Sequence, residues 1–324
     1  MGCSLMREFT SKIAPLMREY VSYQQASGRW NESSYAVILS LFDKHCAANF
    51  PKSEALTQEM LGSWCGKRET ENNNSCRSRI YPVVSFVHYL QKRDLTDVNV
   101  PVVPMKESRT YIPHAFSADE LKNFFEACDS IVNYSNTEEQ ISRRLTIPVF
   151  FRLLYSSGIR TNEARMLRKR DVDLVDGVLN IEYSKGHSQH FVVMHDSMLQ
   201  LMRKYDAVIS EMYPARVYFF PARDGKCHTR LWVSVNFKKL WSQNNDSYAV
   251  PYEFRHNYAV ENINSWTDDG FGFNDKLLYL SKSMGHSVVE STKYYYSLVP
   301  RLADVLAAHT DEDEMIPEVP HESK

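Results

Sequence analysis

Apolar positions in residues 5–93 recur at helical spacing in four stretches separated by weak breaks. Gly28 closes the first, Asn31 and Ser33 suit the start of the second, and Pro51 follows its end. The third is short, around 54–65, and the polar run Glu69–Ser75 reads as a loop. The fourth covers roughly 76–93, with Pro82 near its first turns. Residues 95–115 lose this periodicity and carry Pro101, Pro104 and Pro113, the composition of a linker. Ser117-Ala118-Asp119-Glu120 is a capping box, with Ser at the N-cap and Glu three positions on. It opens a helix expected to run to about Asn133, and another covers about 138–157 and stops at Gly158. The pattern then switches to alternation in Val178–Tyr183 and Phe191–Val193, around a turn at Ser184–Gln189. From 196 onward it is helical again until Gly285 breaks it. The expectation is a mainly α chain with a small antiparallel β-sheet.

A length of 324 residues argues for two domains. Hydrophobic residues at 43% and charged residues at 24% fit a soluble globular protein, and no apolar run is long enough to span a membrane. The N-terminus lacks the layout of a signal peptide, and Met6 stands where a myristoylation pattern needs Ser or Thr. Six scattered cysteines (Cys3, Cys46, Cys65, Cys76, Cys128, Cys227) form no C-x-x-C pair, which points to reduced thiols in a cytoplasmic setting. His195, Cys227 and His228 lack metal-ligand spacing, and no phosphate-binding P-loop is present. Neither metal nor nucleotide cofactor is expected.

The net charge of −2 conceals an asymmetry. Residues 309–324 form an acidic tail with net charge −5, so the remainder carries +3. Residues 142–170 hold eight bases and the single acid Glu163. That cluster suits phosphates, although alone it reads equally well as a solvated helix face.

Four separated pieces carry candidate chemistry. They are Gly158-Ile159-Arg160-Thr161-Asn162-Glu163, Lys185 on the hairpin, Tyr252-Glu253-Phe254-Arg255-His256, and Met284-Gly285-His286 with Tyr295 nine residues beyond. Each alone has an ordinary explanation: a salt-bridged arginine, a turn lysine, an arginine binding a carboxylate, a capping histidine, a packed tyrosine. Tyr295 lies within Tyr294-Tyr295-Tyr296, and a helix turns about 100° per residue, so the three cannot share a direction.

In this order the pieces resemble the catalytic domain of the tyrosine recombinase (phage integrase) family, whose pattern is Arg, Lys, His-x-x-Arg, Gly-His and Tyr. The resemblance covers roughly residues 117–300. It implies a two-domain architecture: a helical core-binding domain at 1–94, a linker at 95–115, an α+β catalytic domain at 116–308, and the tail at 309–324. It assigns catalytic roles to Arg160, Lys185, Tyr252, Arg255, His286 and Tyr295. Tyr295 rests on the family spacing, with Tyr294 and Tyr296 left as core or interface residues. Tyr252 departs from the pattern, which usually has His there. A phenol can hydrogen-bond a phosphate oxygen but is a poor base near neutral pH.

The implied function is site-specific DNA recombination through a 3′-phosphotyrosine intermediate, serving integration, excision or transposition of a mobile element. Two guanidiniums can grip the phosphate bidentately as its charge grows. The resemblance further implies double-stranded DNA and a tetramer of this chain as partners, with accessory DNA-bending proteins besides. Apolar residues after Tyr295 (Leu298, Val299, Leu302, Val305, Leu306) suit docking on a neighbouring protomer or packing on their own core. Two rival functions remain at this stage: strand relaxation like that of type IB topoisomerases, and a DNA-binding relative without catalysis.

Overall fold

A computed structural model describes residues 8–28, 30, 34–107, 113–132, 137–182, 189–266, 273–286 and 290–293. The chain divides into two compact units, residues 1–111 and 112–324.

The first unit holds α1 (Ala14–Ala26), α2 (Tyr35–Asn49), α3 (Gln58–Cys65) and α4 (Asn73–Gln91). Thr57 and Asn72 cap α3 and α4 by accepting from the backbone N–H of Met60 and Ser75. Asn72 moves the start of α4 a few residues upstream of the expected one, so Pro82 falls in the helix interior rather than the first turns. Tyr20, Phe42, Trp64 and Phe86 anchor the core. Two buried polar groups tie its edges. Asp43 on α2 accepts from the backbone N–H of Thr10 at 2.6 Å and of Ser11 at 3.0 Å. Arg79 on α4 forms a two-pronged bond with Glu71 at 2.9 and 2.6 Å and also donates to the carbonyls of Trp64 and Gly66.

The second unit begins its regular structure with α5 (Ala118–Asp129), opened by the Ser117–Glu120 capping box. The helix ends at Asp129, earlier than the expected Asn133. Next come α6 (Glu138–Ser157) and the short α7 (Thr161–Met166). A three-stranded antiparallel sheet follows: β1 (Val172–Asp173), β2 (Val178–Ile181) and β3 (His190–Val193), in the order β1-β2-β3. The β2–β3 register pairs Ile181 with His190 and Val178 with Val193. Most of the turn between these strands lies outside the described residues. The two-residue β1 is too short to show alternation, and the sequence pattern does not reveal it. Along β3, His190 and Val192 face inward while Phe191 and Val193 are exposed.

The remaining helices are α8 (Asp196–Met212), α9 (Arg230–Asn244), α10 (Glu253–Asn264), α11 (Phe273–Ser283) and α12 (Glu290–Lys293). Phe124 of α5 sits at the centre of an aromatic core, 4.9 Å from the ring of Phe237, 5.3 Å from Phe151 and 5.6 Å from Phe254. These contacts hold α5, α6, α9 and α10 as one body. A smaller cluster of Ala259, Ile263, Leu280 and Met284 joins α10 to α11. The aromatic core carries the ends of α6 and α10, where the chemistry-bearing residues stand. No described helix is long and apolar enough to cross a membrane.

Candidate active site

α6 stops because Gly158 takes a left-handed conformation, φ 63°, which glycine adopts without the strain a Cβ brings. A Cβ there would also lie 2.2 Å from the Tyr258 ring. The reversal delivers Arg160 to the N-cap of α7. Glu163, one turn on and buried, accepts the Arg160 backbone N–H at 2.8 Å and the guanidinium Nη1 at 2.6 Å. Arg160 Nη2 donates to the Gly285 carbonyl at 3.1 Å.

Arg255 approaches the same segment from α10 and is 1% exposed. Its Nη1 donates to the Gly158 carbonyl at 2.7 Å, and its Nη2 to the Met284 carbonyl at 2.6 Å. Nη2 also lies 3.0 Å from His286 Nε2. Two arginines more than ninety positions apart in sequence thus close on one three-residue stretch, Met284-Gly285-His286.

A second glycine makes that stretch possible. Gly285 has φ 62°, and a Cβ on it would lie 2.5 Å from the His190 ring, which β3 buries beneath it. Burial and the cations Arg160 and Arg255 beside it, together with His190, hold the His286 imidazole down at about 4. The ring is therefore neutral near pH 7. An arginine can only donate, so Nε2 accepts from Arg255 and the ring proton sits on Nδ1. Nδ1–H then donates to Thr292 Oγ1 at 2.6 Å. Arg160 is paired with Glu163, and Arg255 adds a second guanidinium held by main-chain carbonyls and the His286 ring. That is an environment built to receive an anion.

Tyr252 stands at the N-cap of α10, 44% exposed, with its ring 5.1 Å from that of His256. Burial lowers the His256 imidazole, with Arg255 adding to the effect and Glu253 opposing it. Lys185 and Tyr295 lie outside the described residues. Of the six sequence candidates, the structure brings Arg160, Arg255 and His286 into direct or shared contact and places Tyr252 at the start of the helix that carries Arg255.

Three contributors escaped the sequence reading. Thr292 and His190 reach the cluster through contacts that no local spacing signals. Glu253 is buried at the mouth of α10, where it accepts the backbone N–H groups of His114 at 3.1 Å and Val250 at 2.7 Å. The basic cluster at 142–170 is also largely spent on internal partners. Arg143 donates to Asn236, Arg152 pairs with Asp129, Arg165 reaches the His228 carbonyl, and Arg170 pairs with Glu182. Among the described residues, no group of three or more His, Cys, Asp or Glu side chains is arranged to hold a metal ion.

This fold, with two arginines and a histidine gathered around a Gly-His turn, is that of a DNA strand-transferring enzyme. Residues 115–300 match the phage integrase family, and the chain belongs to that family, the tyrosine-type site-specific recombinases that cleave and rejoin DNA. A tyrosine recombinase of Agathobacter rectalis is 26% identical over 245 residues, 72% of this chain and 74% of the relative. The tyrosine recombinase XerD of Rickettsia bellii is 21% identical over 286 residues, 82% of this chain and 87% of the relative. Among solved structures, the XerH recombinase bound to difH substrate in a pre-cleavage complex is similar with a TM-score of 0.59 at 16% identity, covering 87% of this chain and 79% of that one. A lambda integrase dimer bound to a COC′ core site is similar with a TM-score of 0.57 at 14% identity, covering 87% and 76%. These structural likenesses support the fold.

Proposed function

We propose that Tyr295 is the nucleophile of this enzyme and that Arg160, Arg255 and His286 form the cradle for the scissile phosphate. The observation that carries this reading is the convergence of both arginines on Met284-Gly285-His286. Arg160, the more accessible of the two, offers the N–H groups not used by Glu163 and Gly285 to the phosphate oxygens. Arg255 acts from below as a fixed positive charge in a site shielded from water, where each charge counts for more. The deprotonated Tyr295 oxygen attacks phosphorus, the bond to the 5′-oxygen breaks, and Lys185 supplies the proton that this oxygen takes up on leaving. The 3′-phosphotyrosine conserves the phosphodiester linkage for rejoining. Tyr252 donates its phenolic O–H to a phosphate oxygen, in place of the histidine usual there.

In this reading residues 1–94 are the core-binding domain, 95–115 a linker, 116–308 the catalytic domain and 309–324 an acidic tail. Double-stranded DNA is the substrate, and four copies assemble on paired sites, with accessory DNA-bending proteins as further partners. The work is done in the cytoplasm, on the nucleoid if the host is prokaryotic, and mobilises a DNA element. No metal or nucleotide enters the scheme.

The test uses a nicked suicide substrate carrying the cognate site, taken from the DNA flanking the gene. A denaturant-resistant protein–DNA adduct is expected with the unaltered chain and is lost in Tyr295→Phe. Specific binding without any adduct overturns the proposal and makes the chain a silent DNA binder. Recombinant products from two sites, rather than relaxed circles alone, separate recombination from topoisomerase-like relaxation.

A further inference from the structure

We propose that Thr292 is a positioning residue for His286: its hydroxyl accepts the imidazole Nδ1–H and so fixes the plane in which the ring faces the phosphate cradle. The proposal rests on the placing of His286 in that cradle. The supporting geometry is a chain of three groups. Arg255 Nη2 lies 3.0 Å from His286 Nε2, and His286 Nδ1 lies 2.6 Å from Thr292 Oγ1. A neutral imidazole has one donor and one acceptor nitrogen, and a guanidinium has donors only. With Arg255 at Nε2, the ring proton is directed to Nδ1, and an acceptor there completes the set. Thr292 supplies it from a fully buried position on α12, with 0% exposure.

A buried hydroxyl costs stability unless it is bonded, so its placement opposite a ring nitrogen calls for an explanation beyond packing. Valine has nearly the same shape and no hydroxyl. Without the acceptor, the plane of the ring is held on one side only, and Nδ1–H is left buried without its partner. Outer partners that orient a metal-ligating imidazole are worth about 10- to 100-fold, and the same scale is expected for this ring. The contact also ties α12 to the Gly285–His286 turn. The segment three residues ahead of Tyr295 is thereby joined to the turn on which both arginines converge.

The experiment compares Thr292→Val and Thr292→Ser in the full chain. Adduct formation is followed on the nicked substrate, and DNA affinity is measured separately by a mobility shift. In parallel, the ring nitrogens of 15N-histidine-labelled protein are observed by NMR, with the His286 signal assigned by its loss in His286→Gln. Thr292→Val is expected to slow adduct formation about 10- to 100-fold at unchanged affinity, and to shift the His286 Nδ1 resonance as its hydrogen bond is lost. Thr292→Ser restores both readouts. An unaltered His286 Nδ1 resonance in Thr292→Val overturns the proposal, as does equal slowing in Val and Ser. If the unaltered chain itself forms no adduct, the cradle reading has failed, and the NMR comparison still decides what Thr292 does to the ring.

Discussion

Arg79 in the first unit and Arg255 in the second are both buried arginines, but different groups meet them. In the helical N-terminal unit each buried charge is met locally. Arg79 is answered by Glu71 and two carbonyls, and Asp43 by the N–H groups of Thr10 and Ser11. In the second unit, Arg160 pairs with Glu163 and donates to the Gly285 carbonyl, while Arg255 donates to the carbonyls of Gly158 and Met284. Balanced burial holds a fold together. A buried guanidinium held by neutral carbonyls keeps its charge available to an arriving anion. The contrast separates structural from functional charge even where residue type and burial are alike, as they are for Arg79 and Arg255.

The sharpest way to break the comparison is to remove each arginine in turn. Arg255→Ala should lower the rate of adduct formation by about 1,000-fold or more, in line with the loss of a preorganised donor to developing charge. Arg79→Ala should instead destabilise its unit by about 3 kcal/mol, because Glu71 is left without its partner, while the folded fraction keeps its cleavage rate. Urea denaturation and single-turnover cleavage, run on both variants, read the two effects. A large catalytic loss in folded Arg79→Ala would erase the distinction.

A second pair of changes probes the backbone under the site. Gly158→Ala and Gly285→Ala each place a Cβ at positive φ and against a ring, Tyr258 in one case and His190 in the other. Each is expected to cost about 2 kcal/mol in stability. Gly28→Ala in the first unit shares the positive φ but meets no atom within 4 Å, and should cost about half as much. Differences in the urea midpoint check this order.

Acid should separate the units less dramatically. The His286 and His228 imidazoles are both held at about 4, mainly by burial, against an ordinary value of 6.5. The unfolded chain therefore takes up these protons first, and the stability they contribute is lost as pH falls from about 6.5 toward 4. Among the carboxylates of the first unit, Glu71 is held at about 2 by its bond to Arg79. Its contribution survives until pH falls below about 4.5. Hydrogen exchange resolved by peptide, corrected for intrinsic pH dependence, should show the second unit loosening first between pH 7 and pH 5. The smallest expected effect is that of Ser117→Ala, which removes the cap of α5 and should cost about 1 kcal/mol in thermal or urea unfolding.

These contrasts also mark what could be read from the chain beforehand. Ser117, Glu120 and Gly158 signal helix ends through local chemistry, and the structure places ends at those residues. Pro82 misleads, because proline is commonest in a first turn, whereas α4 accommodates it in the interior. The end of α5 at Asp129 has no glycine to announce it. Arg160, Arg255 and His286 were legible only as an ordered set, since each alone looks structural. Glu253 and His190 were not legible because they meet His114 and Gly285 across long-range contacts, and Thr292 because no spacing rule pairs a histidine with a hydroxyl six positions on. His190 shows why: strand alternation sets which face it takes, but only the packed turn at Gly285 puts a backbone against its ring.

The acceptors that hold Arg255 have a genetic consequence. Two of its bonds end on the carbonyls of Gly158 and Met284, which belong to the main chain and persist whatever side chains stand there. No second-site substitution can re-aim those oxygens toward a shorter or differently shaped cation. A suppressor screen starting from Arg255→Lys should therefore recover true revertants to arginine and almost no compensating changes elsewhere. A screen starting from Arg79→Lys has the adjustable side chain of Glu71 to work with and should yield both kinds.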